Sequence, residues 1–198
     1  MKFVIVCFLM FIFGCSAKNI SVKLIAEIRE IRSSITATGF LVEDSKGKVH
    51  LITVAHFCEA ALATGSFIQL EYLDGDKYTA IAGKYVVRKI ANGVDLCELA
   101  AFERANHHLK VLSLATDWRA KEPVTIDGSP WGYYPAVARG FLIGQQNGYL
   151  FGSGLVLPGN SGSPVVNSSG DVVGILAVGG GHIFGMVPFW EIEAFLNE

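Results

Sequence analysis

Gly159-Asn160-Ser161-Gly162-Ser163-Pro164, read together with Thr53-Val54-Ala55-His56 and Val94-Asp95-Leu96 far upstream, supplies a nucleophile, a base and an orienting acid in one chain. A serine hydroxyl is a poor nucleophile at neutral pH. It needs an imidazole to take its proton and a carboxylate to hold that imidazole in the right tautomer. All three occur here in the order His56, Asp95, Ser161, separated by 39 and 66 residues, which leaves room for several strands between each pair. Tertiary folding therefore has to assemble them, and a hydrolase is the leading reading. Taken singly, His56 also reads as a core histidine, Asp95 as a turn residue after Gly93 and Ser161 as one serine of a glycine-rich loop; the order and joint presence of the motifs favour the triad.

An α/β-hydrolase is disfavoured, because that fold runs Ser, acid, His and its Gly-x-Ser-x-Gly elbow needs glycine where Ser163 stands. With 198 residues, 51% hydrophobic and 17% charged, the chain has enough apolar side chains for one sizeable core or two small ones. Its formal net charge is -2 and it has no lysine or arginine cluster, so the footprint of nucleic-acid binding is missing and no such partner is expected.

Met1-Lys2, an apolar run from Phe3 to Phe13 and then Gly14-Cys15-Ser16-Ala17 read as a secretory signal peptide over residues 1–17. The run is far short of the roughly 20 residues of a membrane-spanning helix. Two cleavage chemistries fit: Cys15-Ser16-Ala17 ends in a small residue suited to ordinary signal peptidase, and Ile12-Phe13-Gly14-Cys15 resembles a bacterial lipobox with Cys15 lipidated. Either way the chain is expected to be exported, whether periplasmic, secreted or held at the envelope, and to touch membrane only through a lipid at Cys15. Cys58 and Cys97 then remain as the thiols of the folded part. Each follows its candidate catalytic residue by two positions, so a His56–Asp95 hydrogen bond would bring them into one neighbourhood. A disulfide, which an exported compartment permits, and a pair of buried thiols both stay open. The spacings do not suit zinc, and neither metal nor other cofactor is expected.

After the signal, short β-branched and aromatic runs alternate with glycine, proline, asparagine and aspartate, an all-β pattern. Strands are expected over 35–42, 49–54, 67–73, 78–87, 96–102, 124–126, 136–143, 149–155, 172–178 and 183–187, with turns at Asp74-Gly75-Asp76, Asn147-Gly148 and Ser169-Gly170-Asp171. Residues 19–32 fit an alternating set (Ile20, Val22, Leu24, Ala26, Ile28) and a helical one (Leu24, Ile28, Ile31, Ile35), so their period decides nothing. Pro188 to Leu196 places Phe189, Ile192 and Phe195 or Leu196 on one face, as a terminal helix does. The charged stretch Asp117 to Pro123 is the expected connection between two lobes, about 18–118 and 119–198. His56 and Asp95 then lie in the first lobe and Ser161 in the second.

At these residues the chain resembles the chymotrypsin-fold serine proteases, in particular bacterial glutamyl endopeptidases and Deg/HtrA-type proteases, over roughly residues 35–188. Ala37-Thr38-Gly39-Phe40-Leu41-Val42 resembles the strand before the catalytic histidine, Ile52 to His56 the histidine strand, Asp95-Leu96 the aspartate strand, and Gly128-Ser129-Pro130-Trp131-Gly132 a turn of the Deg-type enzymes. Pro158 to Pro164, Val165-Val166 and Val173-Gly174-Ile175 resemble the nucleophile loop and the hairpin after it. The resemblance implies two six-stranded antiparallel barrels with a short C-terminal helix, and a serine endopeptidase with Ser161 as nucleophile, His56 as base then acid, and Asp95 as orienting group. It implies an oxyanion hole along Gly159, Asn160 and Ser161, with the N–H groups of Gly159 and Ser161 as donors.

Asn160 stands where trypsin-like zymogens carry the aspartate that pairs with a freshly cut N-terminus, so activation by such a cut is not expected. Leu176 stands where glutamyl endopeptidases carry a histidine, which removes the main support for glutamate specificity. The implied primary pocket, Leu155, Ala177, Val178 and Gly179, is apolar and suits a small or medium uncharged side chain before the scissile bond. His182 lies near this region but reads as a surface or structural histidine; His50 and His107-His108 are expected on the surface. The partner is a peptide or protein substrate, and no tethering domain of the Deg type is expected after residue 198. Two other readings use the same motifs: a catalytically silent protease-like envelope module that binds peptides, against which the intact His56, Asp95 and Ser161 count, and an esterase or other acyl transferase.

Overall fold

The computed structural model describes residues 20–28, 33–74, 77–85, 87–91, 93–100 and 109–198. Residues 1–17, read above as a signal peptide, with Cys15, and His107-His108 lie outside them. The first lobe is built from β1 (Val22–Ile28), β2 (Ser33–Glu43), β3 (Val49–Thr53), helix α1 (Ala55–Ala63), β4 (Ile68–Asp74), β5 (Lys77–Tyr85), β6 (Val87–Ile90), β7 (Cys97–Leu99) and β8 (Val111–Leu112). The second holds β9 (Pro123–Gly128), β10 (Ala136–Gln146), β11 (Tyr149–Val156), β12 (Pro164–Asn167), β13 (Val172–Pro188) and helix α2 (Phe189–Asn197).

Residues 22–28, whose period fitted both strand and helix, form a strand because the alternating set wins the core: Val22, Leu24 and Ala26 are fully buried while Lys23 and Glu27 are not. β1 then pairs antiparallel with β2 on one side and β4 on the other. The first lobe is an eight-stranded sheet in the order β5-β4-β1-β2-β3-β7-β6, with β8 added in parallel to β2. The second is a closed barrel, β10-β11-β13-β12-β9. The chain is thus mostly β with a terminal helix, but the two six-stranded barrels of the expectation are replaced by this sheet and a five-membered barrel.

β13 explains part of the difference in the second lobe. It is assigned as one strand of 17 residues, yet its halves lie against each other. A Cβ on Gly174 would sit 2.6 Å from Val187 O, and one on Gly179 would sit 3.0 Å from Ile183 O. The strand folds back through Gly179-Gly180-Gly181, where φ of +155° and +73° at Gly179 and Gly181 favours residues without a side chain. Its first half pairs with β12 and its second with β11.

Helix α1 was not anticipated. Ala55, Glu59, Ala60, Ala61, Leu62 and Ala63 are strong helix formers, but Val54 at the N-cap offers no side-chain acceptor. At the other end Gly65 (φ +59°) stops the helix, with Gly65 N–H donating to Leu62 O and Ser66 N–H to Ala61 O in a Schellman arrangement. Helix α2 buries Phe189, Ile192 and Phe195. Ile192 and Phe195 join Val166, Val172, Ile175 and Val187 in the same core cluster as Phe40, Leu51, Ile52 and Leu96. The main core therefore runs through both lobes.

Candidate active site

Helix α1 starts directly after β3 and puts His56 in its first turn. Asp95 sits in the turn between β6 and β7, shaped by Gly93 at φ +80° and by a Leu96 N–H to Val94 O bond. β7 pairs with β3, Thr53 opposite Cys97, and this register brings the Asp95 turn to the helix N-terminus. There Asp95 Oδ2 lies 2.8 Å from His56 Nδ1, and Oδ1 accepts the His56 backbone N–H at 3.0 Å. One carboxylate thus orients the ring and supplies the cap that Val54 cannot. Cys58 and Cys97, fully buried, are joined by a disulfide beside this pair.

The hydrogen bond that the His56 ring donates to Asp95, more than the Asp95 charge, raises the His56 pKa above the ordinary 6.5, against the opposing effect of partial burial; Glu59 adds a push in the same direction. For Asp95, burial works upward, but the bonds from the His56 ring and from the backbone N–H groups of His56 and Ala55 outweigh it and leave the carboxyl below its usual value.

Ser161 reaches the same end of the first sheet through backbone contacts. Thr38 N–H on β2 donates to Ser161 O at 2.8 Å, and Thr53 Oγ1, three residues before His56, donates to Thr38 O at 2.7 Å. Gly162 makes that approach possible: a Cβ there would lie 2.0 Å from Thr38 O and 2.5 Å from Thr53 Oγ1, and its φ is +85°. From the other side, Gly162 N–H donates to Leu176 O at 2.7 Å on β13. The Ser161 loop is thus wedged between β2 and β13.

Leu157-Pro158-Gly159-Asn160 closes a turn in which Asn160 N–H donates to Leu157 O at 3.1 Å, with proline second and Gly159 (φ +99°) third. Asn160 N–H is therefore committed within the loop. The other two differ. Pro158 O accepts Trp131 N–H at 2.6 Å and Asn160 O accepts Ser163 N–H at 2.9 Å. In a planar trans peptide the N–H points opposite to its carbonyl, so the N–H groups of Gly159 and Ser161 face away from these partners. Among the described residues neither makes an internal hydrogen bond.

Behind this loop lies a buried polar cluster. Thr38 Oγ1 and Ser129 Oγ both donate to Gly159 O, at 2.9 and 3.1 Å, and are 3.0 Å from each other. Trp131 holds a left-handed backbone (φ 51°) so that its N–H meets Pro158 O. Thr38, Thr53 and Ser129 support the loop, a role their place in the sequence motifs does not reveal. The available signal was hydroxyl residues inside otherwise apolar runs, Ala37-Thr38-Gly39 and Ile52-Thr53-Val54.

Of the expected pocket residues, Leu155 and Val178 are half exposed on β11 and β13, Ala177 is buried and Gly179 begins the bend of β13. His182 is exposed beyond it. Surface hollows of about 240 and 550 Å³ are lined around Glu43, Asp44 and Glu193, and around Thr116, Arg119 and Asp171; neither includes His56, Asp95 or Ser161. His50 corrects an expectation: it is 2% exposed, not on the surface, because Nδ1 faces Glu98 Oε1 at 2.8 Å and Nε2 faces Asp44 Oδ2 at 3.1 Å. Among the described residues no group of three or more His, Cys, Asp or Glu is placed to hold a metal.

A β-sheet and a closed barrel meeting at a serine loop, with a His–Asp pair just beyond the strands of the sheet, fit the chymotrypsin-like class of peptidase fold. The trypsin-like peptidase domain profile matches residues 37–175, and the chain belongs to that family, with HtrA-type proteases among its relatives. It is 30% identical over 177 residues to serine protease HTR4 of Bos taurus, covering 82% of this chain and 34% of that protein. It is 26% identical over 182 residues to the Do-like HtrA serine protease of Bacillus subtilis, covering 83% and 36%. The chain thus spans about a third of the length of the curated relatives it matches. The active form of the Rv3671c protease from M. tuberculosis superposes with a TM-score of 0.69 at 18% identity, over 92% of this chain and 81% of that one. A serine endoprotease from Yersinia pestis gives 0.71 at 19%, over 91% and 62%. At such identities the two structures support the fold alone.

Proposed function

We propose that this chain is an exported serine endopeptidase that cleaves peptide bonds through Ser161, His56 and Asp95. The observation that carries the reading is the His56–Asp95 pair, with its 2.8 Å ring contact, held just beyond the end of β3, while Thr53 at that end bonds Thr38 of β2, whose N–H tethers Ser161. Ser161 Oγ attacks the substrate carbonyl carbon while His56 Nε2 takes the hydroxyl proton, and Asp95 stabilises the imidazolium that forms. The developing oxyanion is met by the N–H groups of Gly159 and Ser161, which have no competing acceptor among the described residues. Collapse breaks the C–N bond, His56 returns its proton to the leaving amine, and water releases the acyl group by the same steps in reverse roles.

Exposed Leu155 and Val178 support a small or medium uncharged side chain before the scissile bond. The Cys58–Cys97 disulfide supports an oxidising, exported setting, as does the signal reading of residues 1–17. No described helix is long and apolar enough to cross a membrane. Incubation with a peptide library and sequencing of the products tests the reading: cuts after small or medium uncharged residues by the wild-type protein and none by Ser161→Ala are expected. Equal cutting by both proteins, or cuts after acidic residues, would count against it.

A further inference from the structure

We infer that the Cys58–Cys97 disulfide is a positioning device for the His56–Asp95 pair, holding helix α1 against the Asp95 turn so that imidazole and carboxylate meet in register. This rests on the triad reading above. Each cysteine lies two residues beyond the group it serves, Cys58 in the first turn of α1 and Cys97 at the start of β7. Both are fully buried, so the bridge is anchored in the core beneath a ring that is half in solvent.

The need for such an anchor follows from how few bonds among the described residues join these segments beyond the three-pair ladder of β3 with β7. β7 has three residues. The Asp95 turn is held by Leu96 N–H to Val94 O and Ala91 N–H to Leu96 O, at 2.8 and 3.0 Å. Helix α1 has no side-chain cap of its own, and what ties its N-terminus to the turn is the Asp95 carboxylate. Those are the bonds catalysis uses, and with His56 51% exposed, water competes for them. A covalent link two residues along on both sides keeps the partners aligned when either bond opens, which is preorganisation supplied from below the site.

The test compares the wild type with Cys58→Ala/Cys97→Ala by following the His56 ring through a pH titration by NMR, with the rate of fluorophosphonate labelling measured alongside. In the folded variant His56 is expected to titrate at lower pH than in the wild type, nearer the ordinary histidine value, and plateau labelling to fall by about 10- to 100-fold. A folded variant whose His56 titrates as in the wild type overturns the inference, whatever its labelling rate. Should the variant not fold, the wild-type protein reduced with dithiothreitol, which gives two electrons and two protons to the disulfide as it closes its own ring, is titrated in its place and decides in the same way. Wild-type protein that shows the titration difference but takes no label contradicts the triad reading and leaves the positioning inference standing.

Discussion

A methyl group on Gly162 has nowhere to go. Thr38 O is backbone in the middle of a paired strand, and the +85° φ disfavours any side chain. Gly162→Ala is therefore expected to push the Ser161 loop off β2, lower the melting temperature by the equivalent of about 1–3 kcal/mol and abolish labelling of Ser161; thermal melts and a fluorophosphonate probe read both. Asp127 makes a different case. Burial raises its pKa, opposed by the Ser21 hydroxyl bonded to Oδ1 at 2.6 Å. Between the ordinary 3.8 and that raised value the folded chain holds a proton the unfolded chain has lost, so stability falls as pH rises through this window. Asp127→Asn keeps an acceptor for Ser21 and should raise the melting temperature at pH 7 with no gain near pH 3. A loss at pH 7 would contradict this. His56, Asp95 and Ser161 stand out in the sequence as the proposed triad because that chemistry restricts residue types and order. Thr38, Ser129 and His50 were not legible, since what fixes each is a partner distant in the chain: Gly159 for Thr38 and Ser129, and Glu98, 48 residues away, for His50.

At the scale of elements, the helix carrying His56 depends on a residue of another turn. Asp95→Ala removes both the ring's partner and the acceptor for His56 N–H, whereas Asp95→Asn retains an oxygen for the backbone. Both substitutions are expected to slow labelling by about 10⁴-fold, but only the alanine variant should also lose about 1 kcal/mol of stability through the uncapped helix. Calorimetry separates the two effects. This dependence also explains why α1 escaped detection: the start signal of a helix is normally local, and here it lies 39 residues downstream. β9, β10, β11 and the terminal helix were legible because alternation or helical period ran through them. β12, only four residues long, presents too few positions for a period.

For the whole molecule, the lobes share a core. Ile192 of α2 is fully buried in the cluster that contains Phe40 and Leu96, and Thr38 to Ser161 and Ala115 to Val172 backbone bonds cross between the lobes. Unfolding is therefore expected as one transition, and Ile192→Ala to lower its midpoint by the equivalent of about 2–5 kcal/mol; two separate transitions would contradict a shared core. The two-lobed β architecture could be read from motif order and turn spacing, whereas the strand count of each lobe could not, because closure depends on register and on the fold-back of β13. The proposed function converges on one hydroxyl, that of Ser161, which groups from both lobes would make nucleophilic. The most direct measurement is mass-spectrometric location of a fluorophosphonate adduct on the folded protein, followed across pH. The account predicts a single adduct on Ser161, absent from Ser161→Ala, with labelling that rises through a pH above 6.5 as His56 loses its proton. Absence of an adduct on folded wild-type protein, or an adduct on another residue, would contradict it.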